Sequence, residues 1–514
     1  MSVRVRYAPS PTGSPHVGNV RDALFKHLFA KHYGGTHILR IEDTDRTRYI
    51  PGCEEEIIES LNWLNIEWQE GIGKGGPFAP YRQSERQALG IYDHWIQKLL
   101  NEGYAYKAFD TPEELAEMRE FQQINKQPIG YFGGIWRGAT SAQIEKAELE
   151  KKPYVVRLRI PRGETLVIED VIRGRIEWDS STVDDAVLIK ADQMPTYHFA
   201  AMVDDHLMQI THIIRGEEWI SSAPKHAYLF DAFGWTRPTF VHCPVIKGKD
   251  GSKLSKRHGD TRCLDFRNAG FLPEALVNFI ALIGWSPGGD RELLQMNELI
   301  EAFDLGGLQP SPGIFDLDKL KWMNGNYIRG LDSNQLFNKI QTYFNHEETV
   351  AYWNKLEHID PKINRSLQRL KTKIKEDPVY TLEALKLEQE RVHTLADFAP
   401  ATEFFFADTV DYDLKAVEKW LFQPHVQQLL NELKIHLKNR MAITTEECEQ
   451  LLKDFASKYH FEKLGPIVHP IRVALTGKTI GPGLFELMSV LGPLKMLDRL
   501  NQADQLMTHE SGSI

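Results

Sequence analysis

VRVRYAPSPTGSPHVGNVRDALFKHLFAKHYGGTHILRI, residues 3–41, holds the pattern that decides the fold. Val3, Val5 and Tyr7 alternate with Arg4 and Arg6, the period-two spacing of a strand. Ala8-Pro-Ser-Pro-Thr-Gly13 breaks that strand with two prolines and a glycine. From Val17 to His32 the apolar residues Val20, Leu24 and Leu28, with Phe25 and Phe29, fall at helical spacing, and Gly34-Gly35 ends the run. His37-Ile-Leu-Arg-Ile41 reads as a second strand. Strand, helix and strand within about 40 residues make a βαβ unit, hence a parallel sheet with helices on its faces.

Working outward, a helical, glycine-interrupted stretch is expected from Arg86 to Lys152, followed by strands in PYVVRLRIP, TLVIEDVIRGRIEW and DAVLIK, between Tyr154 and Ile189. This block reads as an insertion into the α/β domain, which resumes with ITHIIRGEEW and FVHCPVIK. Beyond Leu272 strand signals fade, and helices separated by Gly, Pro and Asp turns run to Leu500. At 514 residues the length alone suggests three or four domains. The composition, 42% hydrophobic and 26% charged, excludes a disordered or fibrous chain. The net charge of −10 argues against a histone-like basic coat, although local patches, not the sum, decide nucleic-acid binding. The N-terminus has no apolar signal core. The apolar stretch Ala275 to Trp285 is too short to span a bilayer and reads as a buried helix. A cytoplasmic protein without membrane contact is expected.

Three motifs mislead. Gly71-Ile-Gly-Lys-Gly-Gly76 has dinucleotide-loop spacing, but Pro77 and Pro80 follow where a helix should open, so it reads as a surface loop. Thr476-Gly-Lys-Thr479 lacks the first glycine of a phosphate loop, with Arg472 in its place. The cysteines Cys53, Cys243, Cys263 and Cys448 form no C-x-x-C pair. Four in 514 fit a reducing compartment, and His242-Cys243 with His258 and Cys263 lacks zinc spacing, so no metal site is expected.

Two stretches point to chemistry. Pro15-His-Val-Gly-Asn19 lies where the first strand turns into the first helix, at the carboxyl edge of a parallel sheet, where nucleotides bind. The helix start offers free N–H groups and partial positive charge to phosphates; His16 adds a donor and Gly18 allows close approach. Downstream, Lys247-Gly-Lys-Asp-Gly-Ser-Lys-Leu-Ser-Lys-Arg257 is basic and glycine-rich. It reads either as a solvated loop or as a mobile clamp whose Lys253 and Lys256 follow charge on a triphosphate.

Together these residues resemble the two signatures of the class I aminoacyl-tRNA synthetases: His16-Val-Gly-Asn19, with Asn where that family ends in His, and Lys253-Leu-Ser-Lys-Arg257. Arg6-Tyr-Ala-Pro-Ser-Pro-Thr-Gly13 and Arg40-Ile-Glu-Asp-Thr-Asp-Arg46 narrow the resemblance to the bacterial-type glutamyl-tRNA synthetases. Pro195–Ala200, Val203–His206, Ile214–Trp219, Phe315–Leu320 and Trp322–Gly325 match further family stretches in order. The resemblance covers about Val5 to Leu500.

The resemblance implies an α/β Rossmann-like catalytic domain with an α+β insertion, followed by all-α C-terminal domains. It divides the chain into 1–81 with 191–252 (catalytic), 82–190 (inserted, acceptor-end-binding), 253–332 (helical stem-contact region), 333–413 and 414–514 (helical anticodon-binding domains). It implies an ATP-dependent ligase that joins glutamate to tRNA(Glu). His16, Gly18, Asn19, Lys253, Ser255, Lys256 and Glu218 form its ATP-binding and catalytic set. Glutamate is expected against Arg6, Ala8, Ser10, Glu42, Tyr197 and Arg215, with Arg215 gripping the side-chain carboxylate by two parallel bonds and Glu42 taking the ammonium. Ala201 stands where some relatives carry a polar residue. Asp45 and Arg48 are candidates for the tRNA 3′ end, and Arg391 for an anticodon base. Lys362 to Lys375 holds six cations and no acid, either a solvated face or a phosphate contact. Mg²⁺ is expected to arrive with ATP. Structural zinc is not, since the insertion has no cysteine. A monomer is expected, as no strong dimer stripe appears. The alternatives are charging of tRNA(Gln) as well, a glutaminyl-tRNA synthetase (whose rear half is β-rich), and a degenerate synthetase kept for RNA contact.

Overall fold

The computed structural model describes residues 2–254, 261–357 and 361–510. The chain forms two compact units, one made of Met1–Asp265 with Leu276–Leu317, the other of Phe266–Ala275 with Asp318–Ile514.

The first unit begins with the expected βαβ: β1 (Arg4–Tyr7), α1 (Val17–His32) and β2 (Thr36–Leu39). β1 and β2 run parallel, with Arg4 opposite Thr36 and Tyr7 opposite Leu39. α1 starts at His16 because that residue caps it. The His16 ring accepts from the Gly18 N–H at 3.0 Å, and the Asn19 side chain reaches back to the His16 N–H at 3.1 Å. Val20, Leu24, Phe25 and Leu28 are buried on the sheet. α2 (Cys53–Trp63) leads to β3 (Glu70–Gly71), which adds a third parallel strand beside β2.

The chain continues through α3 (Gln83–Ala88), α4 (Ile91–Asn101), β4 (Ala105–Ala108), α5 (Pro112–Ile124), α6 (Ser141–Leu149), β5 (Val155–Leu158), β6 (Thr165–Asp170), β7 (Gly174–Asp179), β8 (Val187–Ile189), α7 (Tyr197–Leu207), β9 (His212–Gly216), α8 (Ala223–Ala232) and β10 (Thr239–Cys243). β9, β10 and β6 are parallel neighbours, with β7 antiparallel at the edge. The Thr211 N–H donates to the Arg4 carbonyl at 2.9 Å and joins the start of β9 to β1. The β6–β7 hairpin, within 82–190, thus belongs to the same sheet as β9 and β10. A separate antiparallel sheet, β4-β5-β8, forms the rest of that segment. β4 lies inside the stretch expected to be helical. Its residues, Ala-Tyr-Lys-Ala, have little intrinsic strand preference, and pairing with β5 makes the strand.

In the second unit, every regular element from Asp318 onward among the described residues is a helix. Its core runs from Leu336, Ile340 and Leu370 through Phe398 and Phe405 to Leu430, Leu452, Ile471 and Leu500. Among the described residues no helix is long and apolar enough to cross a membrane.

Candidate active site

A cleft of about 780 Å³ opens over the carboxyl ends of the parallel strands. Arg6, Tyr7 and Ala8 reach it from the end of β1, Glu42 from just beyond β2, Arg215 and Gly216 from the end of β9, and Cys243 from the end of β10. Ser10, His16, Gly18, Asn19, Asp45, Arg48, Tyr197, Glu218 and Lys253 also line it. The tertiary fold therefore gathers residues up to 247 positions apart. Ser255, Lys256 and His258 lie outside the described residues.

The glutamate-side residues rest on a buried charge network. Asp205, fully buried, accepts from Arg6 Nε at 2.9 Å and Arg40 Nη1 at 2.8 Å. Arg40 Nη2 donates to Glu42 at 2.8 Å. Burial alone would raise the Asp205 carboxyl, but Arg6 and Arg40 hold it below its ordinary value. Burial outweighs Arg40 and Arg6 at Glu42 and pushes its pKa up. Asp204, an ion-pair partner of Arg40 at 3.8 Å, is anchored by Arg86 at 2.6 Å, Tyr92 at 2.8 Å and Gln83 at 3.0 Å. Removing one partner of so buried a pair costs on the order of 3–5 kcal/mol.

Arg215 faces this network. Its Nε donates to His242 Nε2 at 2.9 Å and its Nη1 to His226 Nδ1 at 2.8 Å, with Tyr197 Oη 3.4 Å away. Its buried Nη2 has no hydrogen-bond partner. Arg215 lines the cleft, and a guanidinium nitrogen with no protein partner is suited to a carboxylate.

At the helix side, desolvation and then the nearby Lys253 lower the His16 pKa, so the ring is neutral at physiological pH. Because Nδ1 accepts from Gly18, the ring proton sits on Nε2, which is a donor. A Cβ on Gly18 would lie 2.9 Å from His16 Cε1, so the glycine makes room for the ring it caps. Gly216 serves Glu218 likewise: a Cβ there would meet the carboxylate at 2.2 Å. Lys253 sits on a tight turn: it bridges Lys247, while the Gly248 N–H donates to the Ser252 carbonyl at 2.9 Å. Up to Lys253 the basic run is therefore a hairpin. Arg48 donates to Asp45 at 2.6 Å on the exposed rim, and Thr47 with Arg48 holds the Asp45 carboxyl down at about 2.

Arg391 lies in the second unit. It donates to the Gly481 carbonyl at 2.9 Å and pairs with Glu388 at 3.2 Å. In the helix Pro361–Glu376, Lys362, Arg369 and Lys373 pair with Asp411, Glu403 and Glu376. Ala201 is fully buried within α7 and does not line the cleft.

Sequence reasoning assigned no role to Arg40, Asp205, His226, His242 or Asp170. The spacing Arg40-x-Glu42 is the one local signal, since alternate residues of an extended chain share a face. His226 on α8 and His242 on β10 are distant in sequence and come together only on Arg215. Among the described residues no group of three His, Cys, Asp or Glu side chains is arranged to hold a metal.

Residues 2–322 match the family of class I tRNA synthetases (E and Q), catalytic domain, and residues 337–504 match an anticodon binding domain. The chain is 39% identical over 501 residues to a glutamate–tRNA ligase of Moorella thermoacetica, covering 98% of each chain. It is 38% identical to the Geobacillus stearothermophilus glutamate–tRNA ligase, covering 98% of this chain and 99% of that one. A crystal structure of a glutamate tRNA ligase from Elizabethkingia meningosepticum in complex with its amino acid superposes with a TM-score of 0.86 at 35% identity, covering 98% and 99% of the two chains. With these matches spanning both units and the cleft at its sheet's carboxyl edge, the chain belongs to the class I tRNA synthetases of the E and Q type, a Rossmann-like catalytic domain followed by an all-helical anticodon-binding domain.

Proposed function

We propose that this protein is an ATP-dependent glutamate–tRNA ligase. It activates L-glutamate to glutamyl-adenylate and transfers glutamate to the 3′-terminal adenosine of tRNA(Glu). One observation carries the choice of amino acid: Arg215, buried in the cleft, keeps one guanidinium nitrogen without a partner. A side-chain carboxylate takes that nitrogen, with Tyr197 and Arg6 beside it, while Glu42 receives the substrate ammonium. Ser10 and the Ala8 backbone complete this half of the site.

In the first step an oxygen of the glutamate α-carboxylate attacks the α-phosphorus of ATP. The bond to the β-phosphate oxygen breaks, and pyrophosphate leaves. His16 donates from Nε2 to a phosphate oxygen, Asn19 adds its amide, and Lys253 with Lys256 and Ser255 meets the charge on the leaving group. Glu218, packed over Gly216, shapes the nucleotide side. Mg²⁺ would come with ATP and would offset phosphate charge, with no dedicated protein cage. In the second step a hydroxyl of the terminal adenosine attacks the mixed anhydride carbonyl, and AMP leaves. Positioning and fixed charge supply the rate, with no covalent enzyme intermediate.

We assign residues 82–190, with Asp45 and Arg48 on the cleft rim, to the acceptor end, and 253–332 to the stem. The regions 333–413 and 414–514, with Arg391, take the anticodon. The enzyme works as a monomer in the cytoplasm, where its substrates are. Pyrophosphate exchange with glutamate, ATP and tRNA tests the reading, and exchange independent of glutamate overturns it. Charging tRNA(Glu) and tRNA(Gln) side by side decides the tRNA set.

A further inference from the structure

Arg215 is held directly by two neutral rings. His242 Nε2 accepts from Nε at 2.9 Å, and His226 Nδ1 accepts from Nη1 at 2.8 Å. Each ring is fixed from behind. Asp170 Oδ2 lies 2.7 Å from His242 Nδ1, so that nitrogen carries the proton and Nε2 the lone pair. Asp170 is itself pinned by the N–H groups of Ile172 and Arg173, at 3.0 and 2.9 Å. His226 Nε2 lies 3.0 Å from His198 Nδ1, so its proton points away from Arg215. Both rings are fully buried, and burial holds both below the ordinary histidine pKa.

The contrast lies across the same cleft. Arg6 and Arg40 are met by the carboxylates of Asp205 and Glu42. No carboxylate among the described residues forms an ion pair with Arg215. Asp170 lies one ring behind and Asp205 acts only through space, so no carboxylate meets the guanidinium directly, and a buried charge so placed favours a ligand that brings the opposite sign.

We propose that His226 and His242 are positioning residues that orient Arg215 through neutral acceptors, and that their neutrality sets the selection of an acidic side chain over the isosteric amide. The inference rests on glutamate as substrate and deepens it. A glutamine side chain fills the same volume and can accept from Nη2 through its carbonyl oxygen, but it leaves the guanidinium charge unmatched. A carboxylate at His242 would supply the missing charge from the protein and remove the reason to prefer glutamate.

The test is pyrophosphate exchange with tRNA present, run with glutamate and with glutamine, on the full-length enzyme and four variants. His226→Leu removes an acceptor; it is expected to raise KM for glutamate about tenfold, with kcat within about threefold. His226→Asn restores an acceptor near Nδ1 and recovers most of that loss. His242→Gln keeps an acceptor near Nε2, whereas His242→Glu, close to it in size, adds a charge. The Glu variant is expected to lose about a hundredfold or more in kcat/KM for glutamate and to narrow the glutamate-to-glutamine ratio, while the Gln variant keeps most of that ratio. Thermal melting confirms folding; if His226→Leu does not melt cooperatively, the two His242 variants decide. An unchanged substrate ratio in His242→Glu, or equal losses in the Gln and Glu variants, overturns the proposal. If the parent enzyme shows no glutamate-dependent exchange, the substrate assignment falls instead.

Discussion

A single methyl group at position 18 separates the structural from the chemical role of the first helix. Gly18 adopts ordinary helical backbone, where alanine is the better helix former by about 0.5–1 kcal/mol. The added Cβ, however, would sit 2.9 Å from His16 Cε1 and 3.1 Å from Nδ1. Displacing the capping ring costs about 0.5–2 kcal/mol, which roughly offsets the gain from alanine, so Gly18→Ala should shift the melting temperature little while glutamate-dependent pyrophosphate exchange falls about tenfold or more, equivalent to about 1.4 kcal/mol of transition-state stabilisation. Retained exchange in a well-folded variant would remove His16 from the phosphate site. The residue types here were legible from the sequence: a proline, a histidine, a glycine and a polar side chain at a strand-to-helix turn announce a helix start suited to phosphate, while the cap that His16 and Asn19 form came from the structure. The tautomer did as well, because it depends on which ring nitrogen meets the Gly18 N–H.

The hairpin that carries Lys253 and the helix that carries Glu388 set two tests at the scale of the element. Lys253 is fixed by the bridge to Lys247 at the end of a tight turn and lines the cleft. Lys253→Ala should slow adenylate formation about a hundredfold, as followed by single-turnover kinetics, and leave tRNA affinity nearly unchanged. Parallel loss of both would count against a role in charge stabilisation. At the end of the helix Pro378–Glu388, burial pushes the Glu388 carboxyl up to about 7 despite the neighbouring Arg391. The folded state then holds a proton that the unfolded chain, with a value near 4.5, has already released. That stability is full below about 4.5 and is lost as pH rises through 7. Glu388→Gln should thus gain stability relative to the parent between pH 5 and 8, read as a growing difference in melting temperature. A constant difference across that range would mean that Glu388 does not titrate as described.

Over the whole molecule, two units with separate cores predict two unfolding transitions by calorimetry. Saturation with ATP alone at about 100 times its Kd should stabilise the unit containing the cleft by roughly 2.7 kcal/mol and leave the transition of the other in place. A ligand-induced shift of both would show that the units unfold as one. With a net charge of −10, the proposed tRNA contact is expected to use restricted basic surfaces. Its affinity should fall linearly in log–log form with salt, at a slope set by the few phosphates contacted. In the helix Pro361–Glu376, the pairs from Lys362, Arg369 and Lys373 to acids already limit that number.

The sequence by itself determined the βαβ start, the first helix, the helical rear and the membership of nearly every cleft residue in a recognisable motif. These rest on periodicity, turn chemistry and local order, which are properties of neighbouring residues. The tertiary structure decided what those residues do to one another. It joined β6 and β7 to the sheet of β9 and β10, made a strand of Ala105–Ala108, set Asp205 between Arg6 and Arg40, and placed His226 and His242 on Arg215. Pairing register, burial and the sign of a neighbouring charge arise between segments distant in sequence. A buried guanidinium with one nitrogen left unmet therefore becomes visible only once the sheet has closed around it.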